Sequence, residues 1–373
     1  MARRRANGEG SIYKRSDGRW AASVSVEGGQ RKYYHGRTQQ EVSRKLTVAL
    51  RARQEGLPLA SDRQTVRQYL EHWLVSVRPS LRPRTWTRYE ELVRLHAVPE
   101  IGHLPLARLT PQRVQRLYAG RLERGLSPTT VRHLHATLHT ALSQAAEWGL
   151  VARNVISLVS PPRSTHREMA VLSPEETRAL LGAAAGDGLE ALFVLALSTG
   201  MRQGELLGLR WRGVNLEAGR LHVTTSLQWT RDGLVFAEPK TARSRRQITL
   251  TQAAVDALRH HRVEQAQERL QLGASWEDND LVFSNYIGRP VSPWILIRHF
   301  QALLIKAELP KIRFHDLRHT AATLLLGQGV HPKIVSEMLG HSNIATTLDL
   351  YSHVTPVMQR QAADVMDAVL AGS

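Results

Sequence analysis

The sequence predicts a multidomain fold. A small α+β module stands at the N-terminus, an all-α bundle follows, and a larger, mainly α C-terminal domain carries a small antiparallel β-sheet. Three observations carry that expectation. Short alternating runs broken by Asp17-Gly18 and Gly28-Gly29 fill the first fifty residues, the pattern of strands joined by tight turns. Residues 64 to 159 repeat apolar side chains at helical spacing, in segments opened by Pro83, Thr110-Pro111 and Ser127-Pro128. Two polar stretches, 56–63 and 161–165, then divide a chain of 373 residues, long enough for two or three domains.

In the first module, residues 8–15 and 19–26 read as strands about the Asp17-Gly18 turn, and Gln30 to His35 as a third. Thr38 is the expected N-cap of a helix running to about Gln54. A helix on one face of three strands buries Trp20, Val24 and Leu46. The other face then carries Lys14, Arg15, Arg19, Arg31 and Lys32 beside Tyr33 and Tyr34. A charged, partly aromatic sheet face suits a DNA groove and its phosphates. The plain alternative is a solvated sheet face.

The bundle reads as four or five helices. Val66, Tyr69, Leu70 and Trp73 make one stripe, and Tyr89, Leu92 and Leu95 another. A third helix runs from Pro111 through Leu117. A fourth buries Val131, Leu134, Leu138, Leu142 and Ala145. Arg82, Arg84, Arg88, Arg132, His133 and His135 stand near helix starts or on polar faces, where cations can hold a duplex backbone.

In the last domain, Ser173 and Glu176 form a capping box, and 189–197 is a strongly apolar helix. Gly200 breaks it, and Arg202 opens the next helix. There a guanidinium and free backbone N–H groups converge, a placement that favours an anion. Glu205, one turn on, either orients Arg202 or caps the helix; orientation is the expectation. Strands follow at 220–225, 234–236 and 247–250, with Lys240 in a hairpin turn between the last two. On its own that turn is a basic surface loop.

Leu317, Ala321, Leu324 and Leu325 predict a core helix from Asp316 to about Leu326, ended by Gly327 and Gly329. Pro332 starts another, with Ile334, Val335, Met338 and Leu339 as its apolar stripe and Gly340 as its C-terminal cap. His341 leaves that cap in a fixed direction, and a third short helix carries Tyr351. Helices turning back over one core can gather His315, Arg318, His341 and Tyr351. An arginine fork matches two phosphate oxygens. Histidines move protons near neutrality or donate to an oxyanion. A tyrosine hydroxyl becomes a nucleophile once a base or charge assists loss of its proton. The set suits transesterification at a phosphodiester, although each residue alone is more often structural. His315 and His319, four apart, also allow a metal pair.

Composition narrows the partner. Fifty Lys+Arg against 33 Asp+Glu give a net charge of +17, and the pI is near 10.9. That balance points to a polyanion, nucleic acid before a membrane surface. No long apolar run reads as a transmembrane helix, and Met1 to Arg5 is not followed by the apolar stretch of a secretion signal. The absence of cysteine excludes disulfides, thiol catalysis and cysteine-ligated zinc, and fits a cytoplasmic protein.

These pieces resemble the tyrosine recombinases of the phage-integrase type. Arg202 in Thr-Gly-Met-Arg-x-x-Glu, Lys240 in a β-hairpin, His315-x-x-Arg318, His341 in Leu-Gly-His and a late Tyr351 occur in that family's order. The N-terminal segment resembles the arm-site domain of integrases from phages and conjugative transposons. The resemblance implies an arm-type DNA-binding domain at 1–60, a helical core-binding, SAM-like domain at 64–160 and a catalytic domain at 168–373. It implies a site-specific recombinase that integrates or excises a prophage or mobile element through a 3′-phosphotyrosyl intermediate, with no metal, cofactor or ATP. Arg202, Arg318 and His341 would hold the scissile phosphate. Tyr351 would attack it, Lys240 would protonate the leaving 5′-oxygen, and His315 would act as base or assist. The implied partners are double-stranded DNA at core and arm attachment sites, three further copies of the chain on paired DNA, and an excision or host bending factor. The terminal helix would pack in trans on the next copy. Two other classes remain in view: a DNA-binding regulator without catalysis, and a metal-dependent nuclease using His315, Asp316, His319 and His341.

Overall fold

The computed structural model describes residues 10–25, 31–54, 64–163, 170–230, 233–238, 245–341, 343–345, 347–348, 363, 366–367 and 370–371. The chain divides into two compact units, Met1–His166 and Arg167–Ser373. It is mostly helical, with small antiparallel sheets.

The first unit contains two separate apolar cores. In the N-terminal one, β1 (Ser11–Lys14), β2 (Trp20–Ser25) and β3 (Arg31–Gly36) form an antiparallel sheet in that order, and α1 (Gln39–Gln54) covers one face. Gly18 takes the left-handed conformation of the first turn at φ 78°, and Thr38 Oγ1 accepts the Glu41 N–H at 3.2 Å. Ala22, Val24, Tyr34, Val42 and Leu46 are buried between sheet and helix. The expected cationic face is divided. Successive strand residues face opposite ways, so Tyr33 is exposed while Tyr34 lies in the core. Lys14 stands opposite Trp20, on the helix side, whereas Arg31 stands opposite Ser25, on the outer face with Tyr33. Lys32 is in register with Val24.

The second core belongs to a bundle of α2 (Val66–Val77), α3 (Pro83–Leu92), α4 (Val98–Ile101), α5 (Pro111–Glu123) and α6 (Pro128–Glu147). Thr110 and Ser127 cap their helices through side-chain oxygens, as the sequence indicates, and Thr65 caps α2 in the same way. The stripes of α2 and α6 are buried as expected. The second helix departs from expectation at Leu95, which is exposed. A single π-helical turn, Val93–Ala97, joins α3 to α4. Its extra residue rotates the stripe, so Val93 and Ala97 go inward instead.

In the second unit, α7 (Pro174–Ala184) starts at the Ser173 capping box, and α8 (Glu190–Thr199) is apolar on nearly every side because it runs through the core. It packs against α10 (Gln252–Leu272) and α12 (Asp316–Gly327). Between them lie α9 (Gln203–Leu207), β4 (Val214–Asn215), β5 (Arg220–Val223), β6 (Ser226–Thr230), β7 (Gly233–Ala237) and β8 (Arg246–Thr249). The single sheet expected from sequence is two: β4-β5-β8, and a separate β6–β7 hairpin. The expected strand 220–225 stops at Val223, and the chain re-forms as β6 against α9. A Cβ on Gly204 would stand 2.6 Å from the Leu227 carbonyl oxygen, which explains the glycine there. β7 pairs with β6 and β8 with β5, so β7 and β8 are not paired with each other among the described residues; the segment with Lys240 between them lies outside those residues.

The helices α10 and α11 (Pro293–Lys306) complete this domain. Beside α12, α13 (Pro332–Leu339) adds a small core of Ala322, Leu326, Val335 and Leu339. Ile334, expected in that stripe, is exposed. Among the described residues no helix is long and apolar enough to cross a membrane.

Candidate active site

Two left-handed glycines build the floor of the site. Gly200 ends α8 at φ 60° and Gly340 ends α13 at φ 67°. Each frees a carbonyl, and each carbonyl takes an arginine. Arg318 Nη1 donates to Gly200 O at 2.7 Å, and Arg202 Nη2 donates to Gly340 O at 3.2 Å. The two arginines, more than a hundred residues apart in sequence, are thus fixed by the ends of the same packed helices.

Glu205 sets Arg202. Its Oε1 accepts from Arg202 Nη1 at 2.7 Å, and its Oε2 accepts the Arg202 backbone N–H at 3.0 Å. The sequence left orientation and capping open; the carboxylate does both. It also accepts from Arg246 Nη2 at 3.0 Å, and Arg246 Nε donates to Met338 O at 2.5 Å. Glu205 is 3% exposed. Burial pushes its carboxyl upward, but Arg246 and Arg202 overcome that and hold it below the ordinary carboxylate value.

Among the described residues Arg318 is the most enclosed cation, at 3% exposure, and its Nη2 has no hydrogen-bond partner there. Burial first, then Arg202 and Arg246, lower its guanidinium to about 9, still protonated at neutral pH. His341 Nδ1 is hydrogen-bonded to Thr347 Oγ1 at 2.8 Å. Burial, followed by Arg318 and Arg202, pushes its imidazole down to about 4. His315 has a solvent-facing side and meets His319 edge to face, ring centroids 5.0 Å apart. Ring burial, then His319 and Arg318, lower His315 as well. Both histidines are therefore neutral at neutral pH and can donate a hydrogen bond or accept a proton.

Of the six expected catalytic residues, the structure brings Arg202, His315, Arg318 and His341 together. Lys240 and Tyr351 lie outside the described residues. Asp316, one of the candidate metal ligands, is turned to Arg313, whose Nη2 donates to its Oδ1 at 2.7 Å. Among the described residues no cluster of three or more metal-ligating side chains forms. Arg246 was not singled out from sequence, yet the alternation Arg246, Ile248, Leu250 places it on the inward side of β8. Lys14, Arg15, Arg19, Arg31, Arg84, Arg88 and Arg132 are exposed, with Arg15 3.8 Å from Asp17 and Arg88 3.7 Å from Glu91.

A helical domain that gathers two arginines and two neutral histidines, with one buried guanidinium donor unpartnered, has the chemistry of a site for a phosphate anion. Comparison with known proteins specifies which kind. Residues 170–357 match the Phage integrase family, and residues 65–120 match the phage integrase N-terminal SAM-like domain. An integrase of Streptomyces ambofaciens is 31% identical, the match covering 99% of this chain and 98% of that protein. A XerC-like tyrosine recombinase of Caldanaerobacter subterraneus is 30% identical over 90% of this chain and 91% of its own length. Among solved structures, the Tn1549 transposon integrase in complex with transposon right end DNA superposes with a TM-score of 0.71, covering 81% of this chain and 99% of that one at 23% identity. The chain belongs to the phage integrase family of tyrosine recombinases, the enzymes of site-specific DNA integration and excision.

Proposed function

We propose that this recombinase cuts and rejoins DNA at attachment sites with Arg202, Lys240, His315, Arg318, His341 and Tyr351 as its catalytic set. The observation that carries the reading is the buried, unpartnered Nη2 of Arg318, set among Arg202 and His341. A buried donor without a partner costs roughly 1–3 kcal/mol, and a tetrahedral oxyanion in the cradle supplies the missing acceptor. Arg202 and Arg318 hold the non-bridging oxygens, and their fixed charges meet the extra charge that develops as the phosphorus becomes five-coordinate.

The Tyr351 hydroxyl oxygen forms the new bond to phosphorus, and the bond from phosphorus to the 5′-oxygen breaks. His315, neutral near pH 7, takes or helps to take the phenol proton, and Lys240 delivers a proton to the departing 5′-oxygen. The product is a 3′-phosphotyrosyl link and a free 5′-hydroxyl. A second 5′-hydroxyl reverses the step on a different strand, so the bond energy is retained without ATP or metal.

Domain roles follow the chain order: 1–60 on arm-type sites, 64–160 on the core site, 168–373 for the chemistry. Exposed Arg84, Arg88 and Arg132 in the bundle, with Lys14, Arg15, Arg19 and Arg31 in the first module, supply phosphate contacts that position without reading sequence. Each chain carries one such tyrosine, and exchanging two duplexes breaks four strands, so the working assembly is a homotetramer on paired sites. Host or excision factors act on that assembly. Tyr351→Phe tests the reading directly. On a nicked suicide duplex built from the short direct repeats flanking the element, it should bind like the wild type and form no covalent complex. A covalent band from the Phe variant would overturn the assignment.

A further inference from the structure

We propose that Arg246 is a positioning residue for strand cleavage, holding Arg202 in register with the scissile phosphate through the shared Glu205 carboxylate. The inference rests on the catalytic reading above and adds a residue that the family-ordered set does not contain.

The contacts close a ring through three elements. From β8, Arg246 Nη2 reaches Glu205 Oε2 on α9, and Arg246 Nε reaches Met338 O near the end of α13. Glu205 Oε1 holds Arg202 Nη1. Arg202 Nη2 returns to Gly340 O, two residues beyond Met338. The Arg246 side chain is 7% exposed and Glu205 is 3% exposed, so both ends of the central ion pair are withdrawn from solvent. Arg246 turns donors inward to two fixed acceptors, and a planar guanidinium holds two acceptors in a set relation that a lysine cannot reproduce. Its part is therefore to fix others, not to touch phosphate. Its charge still reaches the site, since it helps to depress both Arg318 and His341.

Without Arg246, Arg202 is the one cation still hydrogen-bonded to Glu205 among the described residues, and the Arg246 contact from β8 to α13 is lost. Glu205 is then free to draw Arg202 away from the position that the Gly340 carbonyl marks. A misplacement of about 1 Å at a reacting centre can slow a reaction on the order of a hundredfold.

The test uses the full chain and the nicked suicide duplex. Arg246→Gln should slow covalent-complex formation about a hundredfold, with core-site binding near wild type. Arg246→Lys should recover only part of that loss. A duplex with a 5′-bridging sulfur, whose leaving group needs no proton, should leave the Arg246→Gln defect in place, because the defect lies on the phosphate side. Wild-type cleavage by Arg246→Gln would overturn the proposal. Rescue by the sulfur substrate would also overturn it, assigning Arg246 to the Lys240 side. If Arg246→Gln does not fold, Arg246→Lys takes its place, and wild-type cleavage by it would equally reject the fork argument. Covalent complex from Tyr351→Phe would sink the underlying catalytic reading whatever Arg246 does. An inert Tyr351→Phe beside a fully active Arg246→Gln sinks only this inference.

Discussion

The His341 imidazole links the charge of the site to the stability of the fold. In the unfolded chain it titrates near 6.5; in the fold, burial and then Arg318 and Arg202 bring it to about 4. The folded state therefore refuses a proton that the unfolded state accepts. Stability from this group is fully present above pH 6.5 and is lost as pH falls from there through 4. Between pH 7 and pH 5 the unfolded chain takes up about seven-tenths of a proton at this position while the fold takes up about a tenth. The resulting loss is roughly 2 kcal/mol. Urea unfolding of wild type and His341→Asn at pH 7, 6 and 5 measures it. His315 shifts in the same direction in both proteins and cancels in the difference. The wild type should lose about 2 kcal/mol more than the Asn variant over that range. Parallel pH slopes for the two proteins would refute the electrostatic account of the site.

Three other outcomes follow from particular atoms. Gly200→Ala should destabilise the protein by about 2–4 kcal/mol, combining a left-handed backbone with overpacking, because its Cβ would stand 2.3 Å from buried Leu339 Cδ2; an unchanged melting temperature would contradict the close approach. Lys240→Ala should slow cleavage and be rescued by the 5′-bridging sulfur substrate, and failure of that rescue would make Lys240 a phosphate contact instead of a general acid. Truncation after His353 should abolish cooperative synapsis while single-site binding persists, since Met366 and Leu370 of the terminal segment are exposed in the single chain; wild-type synapsis on a native gel would exclude packing of that helix in trans.

Much of this fold is legible because its helices announce themselves locally. Thr110, Ser127 and Ser173 each precede an apolar period, and each caps as the sequence indicates. What local pattern could not show is where a period slips or a strand changes partner. The π turn at Val93–Ala97 leaves no composition signal, yet it turns Leu95 outward. The break between β5 and β6 depends on Gly204 and Gly208 admitting a strand close to α9, a tertiary fact. Tyr33 and Tyr34 show a simpler limit, because period-two alternation already forbids both from sharing a face. Arg202, His315, Arg318 and His341, which the structure brings together, were singled out through family order, whereas Arg246 was hidden inside a basic run that reads as loop.

The balance of charge inside the site explains why the free protein tolerates it and why phosphate fits. Arg202, Arg246 and Arg318 share one buried carboxylate, Glu205. A second internal carboxylate would relieve the guanidinium repulsion but would repel the incoming phosphate. Glu205 offsets the repulsion between Arg202 and Arg246 by hydrogen-bonding both. With that carboxylate hydrogen-bonded to Arg202 and Arg246, Arg318 has no carboxylate on its guanidinium among the described residues, and its Nη2 is a buried donor without a partner there. A phosphodiester entering there raises the proton affinity of Arg318 and His341 together, and a five-coordinate phosphorus bearing more negative charge raises it further. In the proposed reaction, the repulsion among these guanidiniums thus becomes a preference for the transition state over the substrate, the differential that catalysis requires.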